Sequence, residues 1–102
     1  MLTGKQRAYL RGLANDLSPI FQIGKNGIEE NFIKQVRDTL EVRELIKIKV
    51  LENSGLETRA ASDELCKAIG CDGIQAIGSK IVLYKKSSKK PKIEVPQVKK
   101  KK

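Results

Sequence analysis

Residues Pro19 to Phe32, PIFQIGKNGIEENF, read as a short strand, a loop bracketed by two glycines, and the start of a helix. Ile20, Phe21 and Ile23 supply the strand's apolar positions, and Gly24-Lys25-Asn26-Gly27 forms the loop. One glycine would suffice for a positive φ; two, with a cation and an amide between them, leave a nearly bare backbone that a ligand can approach closely. A helix N-terminus beyond the loop would add unpaired N–H groups and a partial positive charge, so a phosphate is the expected guest. Glu29 and Glu30 oppose this, because carboxylates in a first helical turn already complement the dipole and repel an added anion. Spacing alone leaves a plain turn, with a solvated Lys25, as the alternative.

Outward from this stretch, Thr3 followed by Gln6 forms a capping-box pattern at the head of a first helix. Leu10, Leu13, Ala14 and Leu17 recur on its buried side, Arg7 and Arg11 share a flank, and Pro19 stops it. The second helix, through about Glu41, buries Ile33, Val36 and Leu40, joined by Phe32. In Leu45–Leu51 the alternation puts Ile46, Ile48 and Val50 on one face and Lys47 and Lys49 on the other, the mark of a strand with a wet side. A third helix from Glu57 to Ile69 presents Ala61, Leu65, Ala68 and Ile69 and ends at Gly70. Ile74–Ile77 and Ile81–Tyr84, separated by Gly78-Ser79-Lys80, form a hairpin. The order αβαβαββ predicts an α/β fold whose four-stranded mixed sheet is packed with helices, the first two strands parallel and the last two antiparallel. The glycine loop then lies beyond the C-terminal end of a parallel strand, where such sheets bind ligands.

The chain has 102 residues, 39% of them hydrophobic, enough for one small core. Its formal charge of +9 is unevenly spread: from Lys85 to the end there are nine lysines against Glu94, whereas residues 1–84 hold 12 basic and 11 acidic residues. The domain is therefore expected over residues 1–86, with 87–102 a disordered lysine-rich tail, since only Ile93, Val95 and Val98 in it are apolar. Any nucleic-acid preference of the domain must come from local charge placement. No stretch is apolar enough for a membrane span or a signal peptide, so the expected setting is cytoplasmic.

Catalytic parts are missing. The chain has no histidine and no Walker-type GxxxxGK[ST] loop, and no nucleophile–base pair can be named. No cofactor or metal is expected. Cys66 and Cys71 are read as buried, inert thiols, with redox or metal chemistry as the alternative.

The blocks TGKQRAYLRGLA, PIFQIGKNGI, RELIKIKVL and GIQAIGSKIVLYK, in that order over about residues 2 to 86, resemble the CRM domain (chloroplast RNA splicing and ribosome maturation) in its stand-alone bacterial YhbY-type form. The resemblance implies a fold related to the C-terminal domain of translation initiation factor three, with a KH-like GxxG loop at Gly24, Lys25, Asn26 and Gly27. In KH helices the third position beyond the second glycine is usually apolar; here it is Glu30. The implied role is non-catalytic RNA binding in large ribosomal subunit assembly, with ribosomal RNA of the precursor subunit as partner.

The residues expected to touch RNA are Gly24, Lys25, Asn26 and Gly27, followed by Lys5, Arg7 and Arg11 on the first helix. Lys47 and Lys49 rank below them, as ordinary wet-face lysines. Low aromatic content, with both Phe assigned to the core, points to backbone and shape recognition over base stacking. The rival reading is a protein–protein assembly module of the ribosome maturation machinery whose basic tail binds RNA nonspecifically.

Overall fold

A computed structural model describes residues 2–91 and 93. Its elements are α1 (Gly4–Ala14), β1 (Phe21–Ile23), α2 (Glu30–Arg43), β2 (Leu45–Val50), a single 3-10 turn at Glu52–Ser54, α3 (Thr58–Ile69), β3 (Asp72–Ile77) and β4 (Lys80–Tyr84). The strands form one four-stranded sheet in the order β1-β2-β4-β3. β1 and β2 are parallel and the β3/β4 hairpin is antiparallel, as the element order predicts; the structure adds that β4 inserts between β2 and β3 and pairs antiparallel with β2.

The capping box forms in full: Gln6 N–H donates to Thr3 Oγ1 and Thr3 N–H to Gln6 Oε1. α1 ends at Ala14, earlier than Pro19 would require, and a turn bond from Leu17 N–H to the Ala14 carbonyl carries the chain away. At the other end of the chain β3 and β4 are joined by the two residues Gly78 and Ser79. Gly78 has φ +62° and Ser79 does not enter the left-handed region, the pattern of a II′ hairpin turn that needs glycine first.

The sheet is covered on both faces. Val36 and Leu40 of α2 and Ala61, Leu65 and Ile69 of α3 pack on Ile23, Ile46, Ile48, Val50, Ile81 and Leu83. Leu10 and Ala14 of α1 pack on the opposite face against Leu45, Ile74, Val82 and Tyr84. Two apolar faces explain why Ile81–Tyr84 of β4 are all apolar and buried, whereas β2 alternates strictly after Ile46. In α3 the fourth buried residue is Ser62; Ala68, expected inside, faces solvent. The exchange follows from Gly73, where a β-carbon would lie 3.0 Å from Ser62 Oγ and 3.3 Å from Cys66 Sγ. Glycine in β3 thus lets α3 sit close enough to bury a hydroxyl.

Beyond Tyr84 the chain is held, where low hydrophobicity predicts a disordered tail from residue 87. Glu44, the buried residue that ends α2 with φ +66°, accepts hydrogen bonds from Ser87 N–H and Ile93 N–H, each at 2.7 Å. Glu41 Oε2 accepts from the Ser87 and Ser88 hydroxyls and the Ser88 amide at 2.9 Å, and from the Lys89 amide at 3.3 Å. Ile93 packs against the α1-side core. Two carboxylates therefore supply what this polar segment lacks in apolar residues. Residues 92 and 94–102 lie outside the described residues.

Candidate nucleic-acid interface

The chain leaves β1 at Gly24 and enters a closed turn directly. Gly27 N–H donates to the Gly24 carbonyl at 2.9 Å, and Gly27 takes φ +69°. Lys25 and Asn26 form the exposed tip. The two glycines have different reasons: Gly27 needs its left-handed φ, while a β-carbon at Gly24 would meet Leu51 Cδ1 at 3.6 Å and Asn53 Oδ1 at 3.7 Å, ordinary van der Waals distances.

The helix expected to start at the loop starts three residues later. Its first backbone bond runs from Ile33 N–H to the Glu29 carbonyl, and Ile28 and Glu29 separate Gly27 from α2. Ile28, partly buried, packs against the core, and Ile28 and Glu29 together link the turn to the helix. The helix N-terminus is consequently flanked by Glu29 and Glu30, both exposed, and the Gly27 amide is already used within the turn. An anion at this loop would meet the Lys25 and Asn26 side chains instead of the helix dipole.

More cations lie at the same end of the sheet. Leu51 N–H donates to the Ile23 carbonyl and Val50 N–H to the Ser79 carbonyl, so the glycine loop, the 51–54 turn and the hairpin share one edge. Across that edge the register aligns Gln22, Lys49, Lys80 and Ile77, one residue from each strand. Alternation puts this row on the face that carries α1, together with Lys47, which pairs with Val82. α1 covers that face over Leu45, Ile74, Val82 and Tyr84 and leaves the lysine end open. Lys47 and Lys49 are half-buried along their stems and Lys80 is exposed, as expected for chains that lie on the sheet and keep their ammonium groups in water.

The helix-borne candidates divide. Lys5 is exposed and Arg11 half-buried on α1, a helix with no acidic residue. Arg7 instead donates through Nη2 to the Gly73 carbonyl of β3, so part of its guanidinium belongs to the fold. It lines a polar hollow of about 190 Å³ with Arg59, Ser62, Asp63 and Gln75. Lys80 is the cation that the sequence hides: it reads as a turn residue, and only the two-residue hairpin makes it the partner of Lys49. The signal for it is the period-two alternation of Lys80, Val82 and Tyr84.

Comparisons with known proteins agree with this architecture. The family model for the CRS1 / YhbY (CRM) domain matches residues 2–85. The chain belongs to the CRM family. Among its CRM relatives, the Bacillus subtilis protein named "Probable RNA-binding protein YqeI" is 47% identical over 96 residues, which span 94% of this chain and 100% of that protein. A Haemophilus influenzae protein named "RNA-binding protein" is 31% identical, over 94% of this chain and 96% of the other. The solution structure of a Staphylococcus aureus protein described as an RNA-binding candidate shares 48% identity and superposes with a TM-score of 0.74, over 94% of this chain and all of that one. Among the described residues no group of three or more His, Cys, Asp or Glu side chains gathers to hold a metal ion, and no helix is long and apolar enough to cross a membrane.

Proposed function

We propose that this CRM protein binds RNA without catalysis, gripping the phosphate backbone of ribosomal RNA in the cytoplasm during assembly of the large ribosomal subunit. The observation that carries the reading is the convergence of the Gly24–Gly27 loop with Lys49 and Lys80 at one end of the sheet, beside a helix whose charges are all positive. RNA-binding names among its relatives support the partner class. In this reading the loop acts in the manner of a KH GxxG loop, on a frame akin to the C-terminal domain of translation initiation factor three. Lys25 and Asn26 touch one phosphate, and Lys49 and Lys80 neutralise the next ones along the strand. Lys5 and Arg11 extend the track along α1, and Arg7 chiefly fixes α1 to the sheet. Scarcity of exposed aromatic groups directs recognition to shape and backbone.

The test is a salt titration of binding to a ribosomal RNA fragment by the full chain and by Lys49→Gln/Lys80→Gln. Removing one lysine–phosphate pair reduces the logarithmic salt slope by roughly 0.7 to 0.9. The double variant is expected to fall by one to two such steps while keeping its melting temperature. An unchanged slope would transfer RNA binding to the tail and favour the assembly-module alternative.

A further inference from the structure

We propose that Cys66 and Cys71 form a redox site, a dithiol that hydrogen peroxide closes reversibly into an intramolecular disulfide at the junction of α3 and β3. The two sulfurs are 3.8 Å apart, with the Cys71 thiol donating to Cys66 Sγ, and neither is fully buried as inert core thiols would be. The approach is built by the backbone. Cys66 lies in the last turn of α3; its carbonyl accepts from Gly70 N–H at 2.8 Å, and Gly70, at φ +80°, reverses the chain so that Cys71 returns over the helix end. Room beside Cys66 comes from Gly73, whose missing β-carbon would stand 3.3 Å from that sulfur. A disulfide requires the sulfurs to close to about 2.05 Å, and sulfurs already touching on a short reversal need little displacement.

The pair is chemically unequal. The hydrogen bond from Cys71 holds the Cys66 thiol below its ordinary pKa, helped by Ser62 and opposed by burial, Asp63 and Asp72. The same bond, with burial, pushes the Cys71 thiol up. Cys66, whose sulfur accepts the Cys71 S–H across 3.8 Å, is assigned as the nucleophile and Cys71 as the resolving thiol. The Cys66 thiolate attacks one peroxide oxygen, the O–O bond breaks, and the departing hydroxide takes a proton to become water, leaving a sulfenic acid on Cys66. The Cys71 sulfur then attacks that sulfur; the S–O bond breaks and the hydroxyl leaves with the Cys71 proton as a second water. Two electrons pass from the sulfurs to the peroxide. A small-molecule thiol reverses the state by exchange through a mixed disulfide.

The experiment treats the full chain with hydrogen peroxide, blocks remaining thiols by alkylation and reads the intact mass. The expected product is monomeric, lighter by two hydrogens, free of alkyl adducts, and restored by dithiothreitol. Cys71→Ser should stop at a sulfenic acid on Cys66 that dimedone traps, and Cys66→Ser should consume peroxide at least about tenfold more slowly. Circular dichroism of both variants establishes that they are folded. Thiols that stay alkylatable after peroxide, covalent dimers as the main product, or equal reactivity of the two single variants would overturn the proposal.

Discussion

Gly24 and Gly27 look equivalent in sequence, yet their backbones separate them. Gly27 sits at φ +69° with open space around its α-carbon, so Gly27→Ala is expected to destabilise by about 1 kcal/mol through conformational strain alone. Gly24→Ala, where an added methyl meets its neighbours at ordinary distances, should change stability by less than about 0.5 kcal/mol. Urea denaturation of the pair measures both, and equal costs would mean that the turn is not the one described. Glu44 gives a sharper case. It is fully buried, adopts a left-handed φ, and accepts the amides of Ser87 and Ile93. Glu44→Ala strands those donors at a cost of roughly 1 to 3 kcal/mol, to be read in the same denaturation series. Nothing near Glu44 in the sequence announces this, because the residues it serves lie more than forty positions away. The turn glycines, by contrast, are legible in the sequence, since their constraint is local.

The same division holds for elements. β2, α3 with its Gly70 cap, and the closing hairpin follow from periodicity and turn chemistry confined to a few adjacent residues, and all are present. The start of α2 is not legible in this way: Ile28 packs against the core, a tertiary matter, and with Glu29 links the turn to the helix. The strap after Tyr84 is hidden for a related reason: low hydrophobicity predicts disorder only when no acceptor waits elsewhere on the fold. Glu41 is that acceptor. The Ser87 and Ser88 hydroxyls, followed by the Ser88 and Lys89 amides, hold its carboxyl below the ordinary value of 4.5. A depressed folded pKa means that the anchoring is fully present above the ordinary carboxylate range and fades as pH falls through the depressed value. Amide exchange at Ser88 and Lys89, corrected for its intrinsic pH dependence, should therefore keep its protection through the ordinary carboxylate range and lose it on further acidification. In Glu41→Gln that protection should be weak at every pH; an acid-dependent step surviving in the variant would assign the effect to another group.

At the scale of the whole molecule, charge is sorted more than it is accumulated. Residues 1–84 carry 12 basic and 11 acidic side chains, yet α1 has no acid at all and the sheet face beside it holds Lys47, Lys49 and Lys80. The acidic residues of the helices are on α2 and α3, behind the sheet, so a nearly neutral domain has a cationic front. Sequence alone cannot display this, because assigning a lysine to one face requires the strand register and the side on which each helix packs. The consequence concerns the last lysines of the chain. Ending it at Ile93 removes Lys99, Lys100, Lys101 and Lys102 but keeps the strap's hydrogen bonds to Glu41 and Glu44. RNA affinity at low salt should fall, and the salt slope should drop by roughly 0.7 to 0.9 for each tail lysine that had met a phosphate. What remains isolates the front: in the shortened protein Lys25→Ala should lower the slope by a further step of that size, and Lys49→Gln/Lys80→Gln by one to two. If instead the shortened protein binds with no salt dependence, the cations of the sheet face meet no phosphate, and the sorting of charge serves the solubility of the domain alone.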